Sequence, residues 1–480
     1  MVATNSKRVC NLLHRVILNI EDEKKKKKKG TEQKRKSEEL IRRLMKVAGS
    51  TAQQYIPHEI ILEILYRLAV HSLIRFSSVS KLWFKSISND DPHFAASHLL
   101  QSQKNPRLVF NVVNYPNLIY HKFFYLEKDG VDLHGPPVSL KFFHRDLVGY
   151  CNGLVCLSLL CPTPYLIDII NTSRRELFTI SPPTVDGYVQ CYGFGFDSLS
   201  NEYKVVFILN NIAAAAPDDH DDDDYKCLVL TLGTNSWREI TISPQVVPSP
   251  LFRATSSESA IFCNGALYWR TTGMLITFDL HDEKFQVIQI PVDCVSVDGQ
   301  QLVHHLESKG SLCVARLEKL LGSSSSSSDD QQQQQQENNC CKVHLHILKD
   351  RINQVWIKET FLLPFSPPLD DKEDTSSRFL GFSDQVLLYW YDRELKSFQL
   401  CDLHTKDVKV VKSPGHHYTY YELNNHVENI IPLRTFVPAE ARRLDVLPRG
   451  LFKQRPRTHG VFTFCSFNTT SAEEECYISD

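Results

Sequence analysis

The spacing of apolar residues changes along the chain, and the changes divide it into parts. Residues 1–52 hold no sustained period. Over 53–100 the spacing is helical: Ile60, Ile61, Ile64, Leu65 and Leu68 fall at i, i+1, i+4, i+5 and i+8, one stripe of a helix. Pro57 stands at its start, where a missing N–H costs nothing. Leu73, Phe76, Val79, Leu82, Trp83 and Ile87 repeat the spacing, and Asn89-Asp90-Asp91-Pro92 ends one helix and begins another. From about residue 105 the period drops to 2, as in Val343-His344-Leu345-His346-Ile347 and much of Phe398-Gln399-Leu400-Cys401-Asp402-Leu403. The expected fold is α+β and multidomain: a three-helix module at 53–100, an all-β domain at 105–430 and a loose tail at 433–480.

The β half repeats itself. A unit of strand, tight polar turn and strand recurs at 166–177, 228–240, 276–288 and 400–411, with a degenerate copy at 343–359. Aligned at Asp168, Thr231, Asp279 and Asp402, the copies lie roughly 50–65 residues apart once the degenerate copy is placed, near the period of about 50 residues of a kelch-type propeller blade. The stretch at 122–130 supplies a candidate sixth copy. A β-helix or a sandwich stays open as an alternative. Two low-complexity stretches interrupt the pattern, 213–224 and 322–339, and their polar composition predicts solvated loops between strands.

Composition changes the picture little for the whole chain and more for its start. Over 480 residues, 42% are hydrophobic, 23% are charged and the net charge is −2, which predicts no nucleic-acid or membrane partner. Residues 1–46 nevertheless carry fifteen Lys or Arg against six Asp or Glu, including the run Lys24 to Lys29. Like charges in a block repel, so 1–52 is expected to be a basic disordered arm, either a solvated tail or a nuclear-import signal. Fourteen cysteines are scattered without framework spacing, and no secretory leader or membrane-length apolar run is evident. Reduced thiols packed as small hydrophobes, in a nuclear or cytoplasmic protein, are the expectation.

The helical module is short for its apolar content. Three short helices can hide one stripe each, and this stretch also holds Ile56, Ile74 and Phe84. Such a surplus is expected either to pack on the β domain or to be left for a partner. Ile56-Pro57, the aliphatic run from Ile60 to Leu68, Ser72-Leu73, Phe76 and Val79-Ser80-Lys81-Leu82-Trp83 together resemble an F-box. Ile56 stands where that family usually has Leu, Ala69 where proline is common, and Ser78 and Ser80 where Arg and Cys are frequent. The resemblance implies binding to a Skp-type adaptor and, through it, to cullin. Ile56, Pro57, Ile60, Ile64, Leu65, Leu73, Val79 and Trp83 are the expected adaptor contacts.

The remainder resembles the F-box-associated domain of plant-type F-box proteins. The residues that carry the resemblance are 147–158, 192–206, 235–240, 263–270 and 278–291. Within them Asn152-Gly153 and Asn264-Gly265 suit turns that need positive φ, and Trp237, Trp269 and Phe285 are expected to anchor one blade on the next. The family implies a propeller-like receptor that holds a target protein.

Catalytic and metal-binding patterns are weak. Gly193-Phe194-Gly195 lacks the third glycine and the following helix of a phosphate loop and reads as strand. His344-x-His346 has no third ligand at metal spacing and reads as an exposed strand face. Cys151, Cys156 and Cys161 lie five apart and read as core, and the acidic run near 213–224 lacks the spaced ligands of a calcium loop. No nucleophile, base and oxyanion set stands out. The expected function is therefore that of a non-catalytic substrate-recognition subunit of an SCF-type ubiquitin ligase, without cofactor or metal, recruiting an unidentified target protein. A non-ligase propeller scaffold and a kelch-type propeller enzyme are the alternatives.

Overall fold

The computed structural model describes residues 58–78, 84–85, 87, 92–114, 119–126, 133–142, 145–159, 166–180, 188–210, 225–234, 236–253, 259–271, 273–294, 303–320, 340–368, 377–383, 385–392, 394–412, 420–437 and 462–466. The basic arm and both low-complexity insertions lie outside them. The chain divides into two compact units, 1–69 and 70–480. The first contains α1 (His58–Leu65); the second begins with α2 (Val70–Phe76) and α3 (Pro92–Gln103).

Strands follow without a long helix between them. The first three, β1 (Arg107–Asn114), β2 (Ile119–Leu126) and β3 (Leu133–Phe142), form an antiparallel sheet. Next come β4 (Arg145–Cys151), β5 (Leu154–Leu159), β6 (Ile167–Asn171) and β7 (Glu176–Ile180), then β8 (Tyr188–Asp197), β9 (Glu202–Asn210), β10 (Tyr225–Thr231) and β11 (Arg238–Ile240). A short helix α4 (Ser249–Arg253) leads to β12 (Ile261–Cys263), β13 (Ala266–Arg270), β14 (Met274–Asp279) and β15 (Phe285–Gln289). Two more quartets are β16 (Val303–Ser308), β17 (Ser311–Lys319), β18 (Cys341–Asp350), β19 (Val355–Leu363), and β20 (Arg378–Phe382), β21 (Gln385–Asp392), β22 (Ser397–Asp402), β23 (Val408–Lys412). The last described strands are β24 (Tyr420–His426) and β25 (Phe462–Ser466).

Among the described residues these strands make six sheets, each ordered in sequence from its first strand outward. The exception closes the ring: β24 pairs with β1, so the first sheet runs β24-β1-β2-β3 and its leading strand comes from the far end of the domain. The unit is a six-bladed propeller. Five repeat copies read from sequence are the third and fourth strands of blades 2 to 6, and the candidate at 122–130 begins in β2, which holds the third place in blade 1.

Period-2 patterning explains how the blades stack. Successive side chains of a strand point to opposite faces. On β9, Val205, Phe207 and Leu209 join Ile167, Ile169 and Phe178 of blade 2. Their neighbours Val206 and Ile208 join Trp269, Ile276 and Phe278 of blade 4. The same division recurs between blades 4 and 5, 5 and 6, 6 and 1, and 1 and 2. Both faces of a blade are thus covered, and β6 is buried at every position. This corrects the reading of His344-x-His346 as an exposed face: both histidines are buried.

The expected anchors lie in these seams. Trp269 is fully buried and donates its indole N–H to the Tyr192 carbonyl at 3.0 Å, while Trp237 lies 5.2 Å from Phe207 and Phe285 4.8 Å from Phe278. Leading strands approach closely enough to require glycine. A Cβ on Gly381 of β20 would run into the Glu307 carbonyl oxygen of β16. The turns at Asn152-Gly153 and Asn264-Gly265 have positive φ at all four residues, as their sequence predicts.

The repeat turns of blades 4, 5 and 6 share one chemistry, and that of blade 2 needs a correction of register. Asp279, Asp350 and Asp402 each accept a backbone N–H two residues on, and four residues on the chain takes positive φ at Glu283, Gln354 and Lys406. In blade 2 the equivalent positions are Asn171 and Arg175, not Asp168, which instead accepts from Thr179 Oγ1 at 2.6 Å. A second correction concerns 433–480. Leu433 opens a 3₁₀ turn (Leu433–Phe436) and is fully buried, and β25 adds a fifth strand to the outer edge of β7. Of ten described cysteines nine are buried, as expected of small core hydrophobes.

Candidate protein-interaction site

The helical half is built by local rules. In α1 the acidic Glu59 sits in the first turn, favourable to the helix dipole, and Glu63 pairs with Arg67 one turn on at 3.2 Å. Both partners of that pair are well exposed, so it adds little stability. Pro92 opens α3, and Phe94, Ala95, His98 and Leu99 form its buried face.

The eight expected adaptor contacts do not share one fate. Ile64 is half-buried on α1. Leu65 and Leu73 are 2% and 0% exposed, so in this structure they serve the chain's own packing. Ile60 lies on α1, and its side chain is outside the described set. Ile56, Pro57, Val79 and Trp83 lie outside the described residues. Sequence reasoning did not choose Ile74, Phe84 and Leu100 as contacts, yet they are 40%, 52% and 61% exposed. Ile74 and Phe84 belonged to the apolar surplus; Leu100 follows the buried Leu99, and only its placement on α3 reveals it.

Within 70–480 the helices α2 and α3 are fastened to the propeller at its closure. Glu428, just after β24, accepts the Val70 N–H that opens α2 at 2.5 Å and pairs with Arg107 of β1 at 3.5 Å. Its own backbone N–H donates to Ser102 Oγ of α3 at 2.6 Å. Beside it Gln103 donates to Asn152 Oδ1 at 3.0 Å, and Asn429 donates to the Asn152 carbonyl at 2.9 Å. One residue thus joins two helices, the first β-strand and the closing strand.

Candidate chemistry resolves into structure. His344 bonds Glu318 Oε2 at 2.7 Å and Thr360 Oγ1 at 3.1 Å, on three neighbouring strands. Gly193 and Gly195 lie on β8, where a Cβ would meet Leu267 and Phe262 of blade 4. Burial pushes the Cys151 and Cys156 thiols far above their ordinary range, unlike a reactive thiolate; Cys161 lies outside the described residues. Among the described residues no three His, Cys, Asp or Glu side chains gather as a metal site, and no helix is long and apolar enough to cross a membrane.

A cluster of ion pairs also joins blades. Glu283 of blade 4 receives both Arg238 terminal nitrogens at 2.7 Å and Lys204 Nζ at 3.0 Å. Hydrogen bonds from Arg238, partly opposed by burial, hold its carboxyl at about 2. Asp197 is also held at about 2: burial acts to raise it and is outweighed by hydrogen bonds from Ser200, His281 and backbone N–H groups.

Comparison with known proteins agrees with this architecture. Residues 55–95 match the F-box domain family, and residues 121–427 match the family described as "F-box associated beta propeller domain". An F-box protein of Arabidopsis thaliana, At5g49610, is 30% identical over 278 residues, covering 54% of this chain and 72% of that protein. A second, At1g46984, is 26% identical over 411 residues, covering 82% of this chain and 97% of its own. The Arabidopsis F-box/kelch-repeat protein At3g23880 is 28% identical over 272 residues, covering 51% and 69%.

Proposed function

The chain belongs to the F-box proteins that carry an F-box-associated β-propeller, and from that premise we propose that it is the substrate-recognition subunit of an SCF-type ubiquitin ligase. F-box domains generally bind Skp1-type adaptors, and F-box proteins with propeller domains are generally non-catalytic adaptors. In this reading the F-box takes the adaptor, cullin follows through it, and the propeller presents a target protein. The chain contributes no bond-making chemistry. Its contribution is proximity, which raises the effective concentration of the target at a ubiquitin-charged enzyme. The basic arm supports a nuclear or cytoplasmic location.

The observation that carries the reading is the junction at Glu428. A receptor that shortens the search between target and enzyme gains from helices fastened to its propeller, and within 70–480 Glu428 bonds α2, α3 and the closing strand together. Ile56, Pro57, Ile60, Ile64, Val79 and Trp83 remain the proposed adaptor contacts, while Leu65 and Leu73 are buried within the chain. Binding of the full chain to a purified Skp-type adaptor tests this. Ile64→Asp and Trp83→Ala are each expected to weaken capture at least tenfold while leaving the thermal unfolding midpoint within a few degrees. Undiminished capture by both folded variants overturns the assignment, and a wild-type chain that captures adaptor but never co-purifies with cullin favours a scaffold instead.

A further inference from the structure

At three seams the turn between the third and fourth strands of the later blade reaches across to the earlier blade. At seam 3–4 that turn brings Glu283 to Lys204 and Arg238. At seam 4–5 it brings Arg351 to Asp279 at 2.5 Å and Gln354 to the Gln289 N–H at 2.9 Å, and Trp356 then covers the joint, donating to the Gln289 carbonyl at 3.2 Å. At seam 5–6 the equivalent turn supplies His404, which lies on Phe361 with ring centroids 5.1 Å apart.

The two walls of seam 5–6 are apolar and open. The register pairs Ile357 with Ile347 and places Val408 and Val410 opposite Cys401 and Gln399, so all of these face the same seam. Val355, Ile357, Val408 and Val410 are each 41–47% exposed. Within the same seam a cavity of about 120 Å³ is lined by Leu345, Ile347 and Val386 and by His404 of the blade 6 turn. Lys309 and Lys349 line it together with a single carboxylate, Glu359. Elsewhere the chain fills a seam with its own segment: Phe252 of α4 inserts between blades 3 and 4, against Tyr225 and Phe285.

We propose that the groove between blades 5 and 6 is a docking site for a short segment of the target protein, with aliphatic or aromatic side chains followed by an acidic residue. The apolar residues enter between Ile357 and Val410, much as Phe252 enters its own seam, and the carboxylate meets Lys309 and Lys349. The two lysines outnumber the one glutamate, so a basic segment is repelled. β19 and β23 are the outer strands of their sheets among the described residues, so an extended segment can also pair with their backbone edges. This identification of the target's chemistry rests on the proposal that the propeller receives a target.

Fluorescence anisotropy on the full chain tests it with three labelled twelve-residue peptides. One alternates Leu, Ile and Phe with Ser and ends in two Asp; the second ends in two Lys; the third replaces the apolar residues by Ser and keeps the two Asp. The first is expected to bind at least tenfold more tightly than either of the others. Ile357→Asp and Val410→Asp, at exposed positions, are expected to cost at least tenfold of that affinity, and Lys349→Glu to reverse the preference between the acidic and basic peptides. Equal binding of the acidic and basic peptides, or unchanged binding to both Asp variants, overturns the site. So does a wild-type dimer that Ile357→Asp makes monomeric, since the groove would then be filled by a second copy. Adaptor capture is measured on the same preparations: capture retained without peptide discrimination rejects the groove alone, whereas capture lost with discrimination retained rejects the ligase reading alone.

Discussion

His305 sits on β16 between two blades, and burial, with Arg270 and His304 nearby, pushes its imidazole down to about 3. His304 and His426 are pushed to about 3 as well, by burial and by Arg378 and Arg270 in the first case and Arg107 in the second. All three are therefore neutral in the folded protein, and unfolding frees each to take a proton near pH 6.5. Between about pH 3 and 6.5 the unfolded chain binds more protons, so their contribution to stability is whole above that window and declines as pH falls through it. Glu307 and Glu422, whose carboxyls burial raises, act in the opposite direction, so the effect is best read by difference. Relative to His305→Asn, the wild type is expected to lose up to about 1.4 kcal/mol per pH unit between pH 6 and 4. Urea midpoints measured at half-unit steps check this; a constant difference between the two proteins contradicts it. Asp197 and Glu283, held low, add a further loss of stability once pH falls through their ordinary values of 3.8 and 4.5.

At the scale of elements, helices α2 and α3 depend on a carboxylate about 360 residues from the start of α2. Replacing Glu428 by Ala removes a charge-assisted hydrogen bond to Val70 and the pair with Arg107, an expected cost of about 1.5–3 kcal/mol. Backbone exchange with deuterium is expected to accelerate in 70–76 and 94–103 before it does in β9 or β14, whose positions are shared between two seams. Equal acceleration throughout would mean that Glu428 serves only global stability. The turns illustrate how much an element can disclose by itself. Asp279 and Asp402 mark their turns correctly because an Asx side chain satisfies nearby backbone N–H groups wherever it occurs. Asp168 misleads because Asn171 performs the same service three residues later.

For the whole molecule, closure of the ring is the decisive event. β24 pairs with β1 across more than 300 residues and is the leading strand of blade 1. A chain ending before residue 420 is expected to leave β1 with an open edge and the core shared by blades 6 and 1 without Leu423, and so to yield an aggregated or protease-sensitive product. A chain ending after residue 437 loses, among the described residues, only β25 from an outer edge and is expected to remain monodisperse with a cooperative unfolding transition. Size-exclusion chromatography and limited proteolysis of the two truncations distinguish these outcomes, and similar behaviour of both contradicts the role given to β24.

The residues themselves determined what depends on near neighbours: helical spacing from Ile60 to Leu65, though the stripe runs on to Leu68 past the helix end, alternation in the strands, turn chemistry at Asn152-Gly153, and an F-box placed ahead of a repeated β domain. What depends on distant neighbours was decided by the tertiary structure. The period-2 pattern assigns Val205 and Val206 to opposite faces but is silent on whether water or another blade covers each face. His344 and His346 looked exposed for that reason and are buried, because a propeller covers both sides of every sheet. Leu65 and Leu73 carry the apolar stripe that marks an interface, yet a stripe has the same spacing whether its own chain or a partner covers it. The closing strand of blade 1 and the seam faced by Ile357 and Val410 exist only because strands far apart in sequence meet, and no local pattern encodes that meeting.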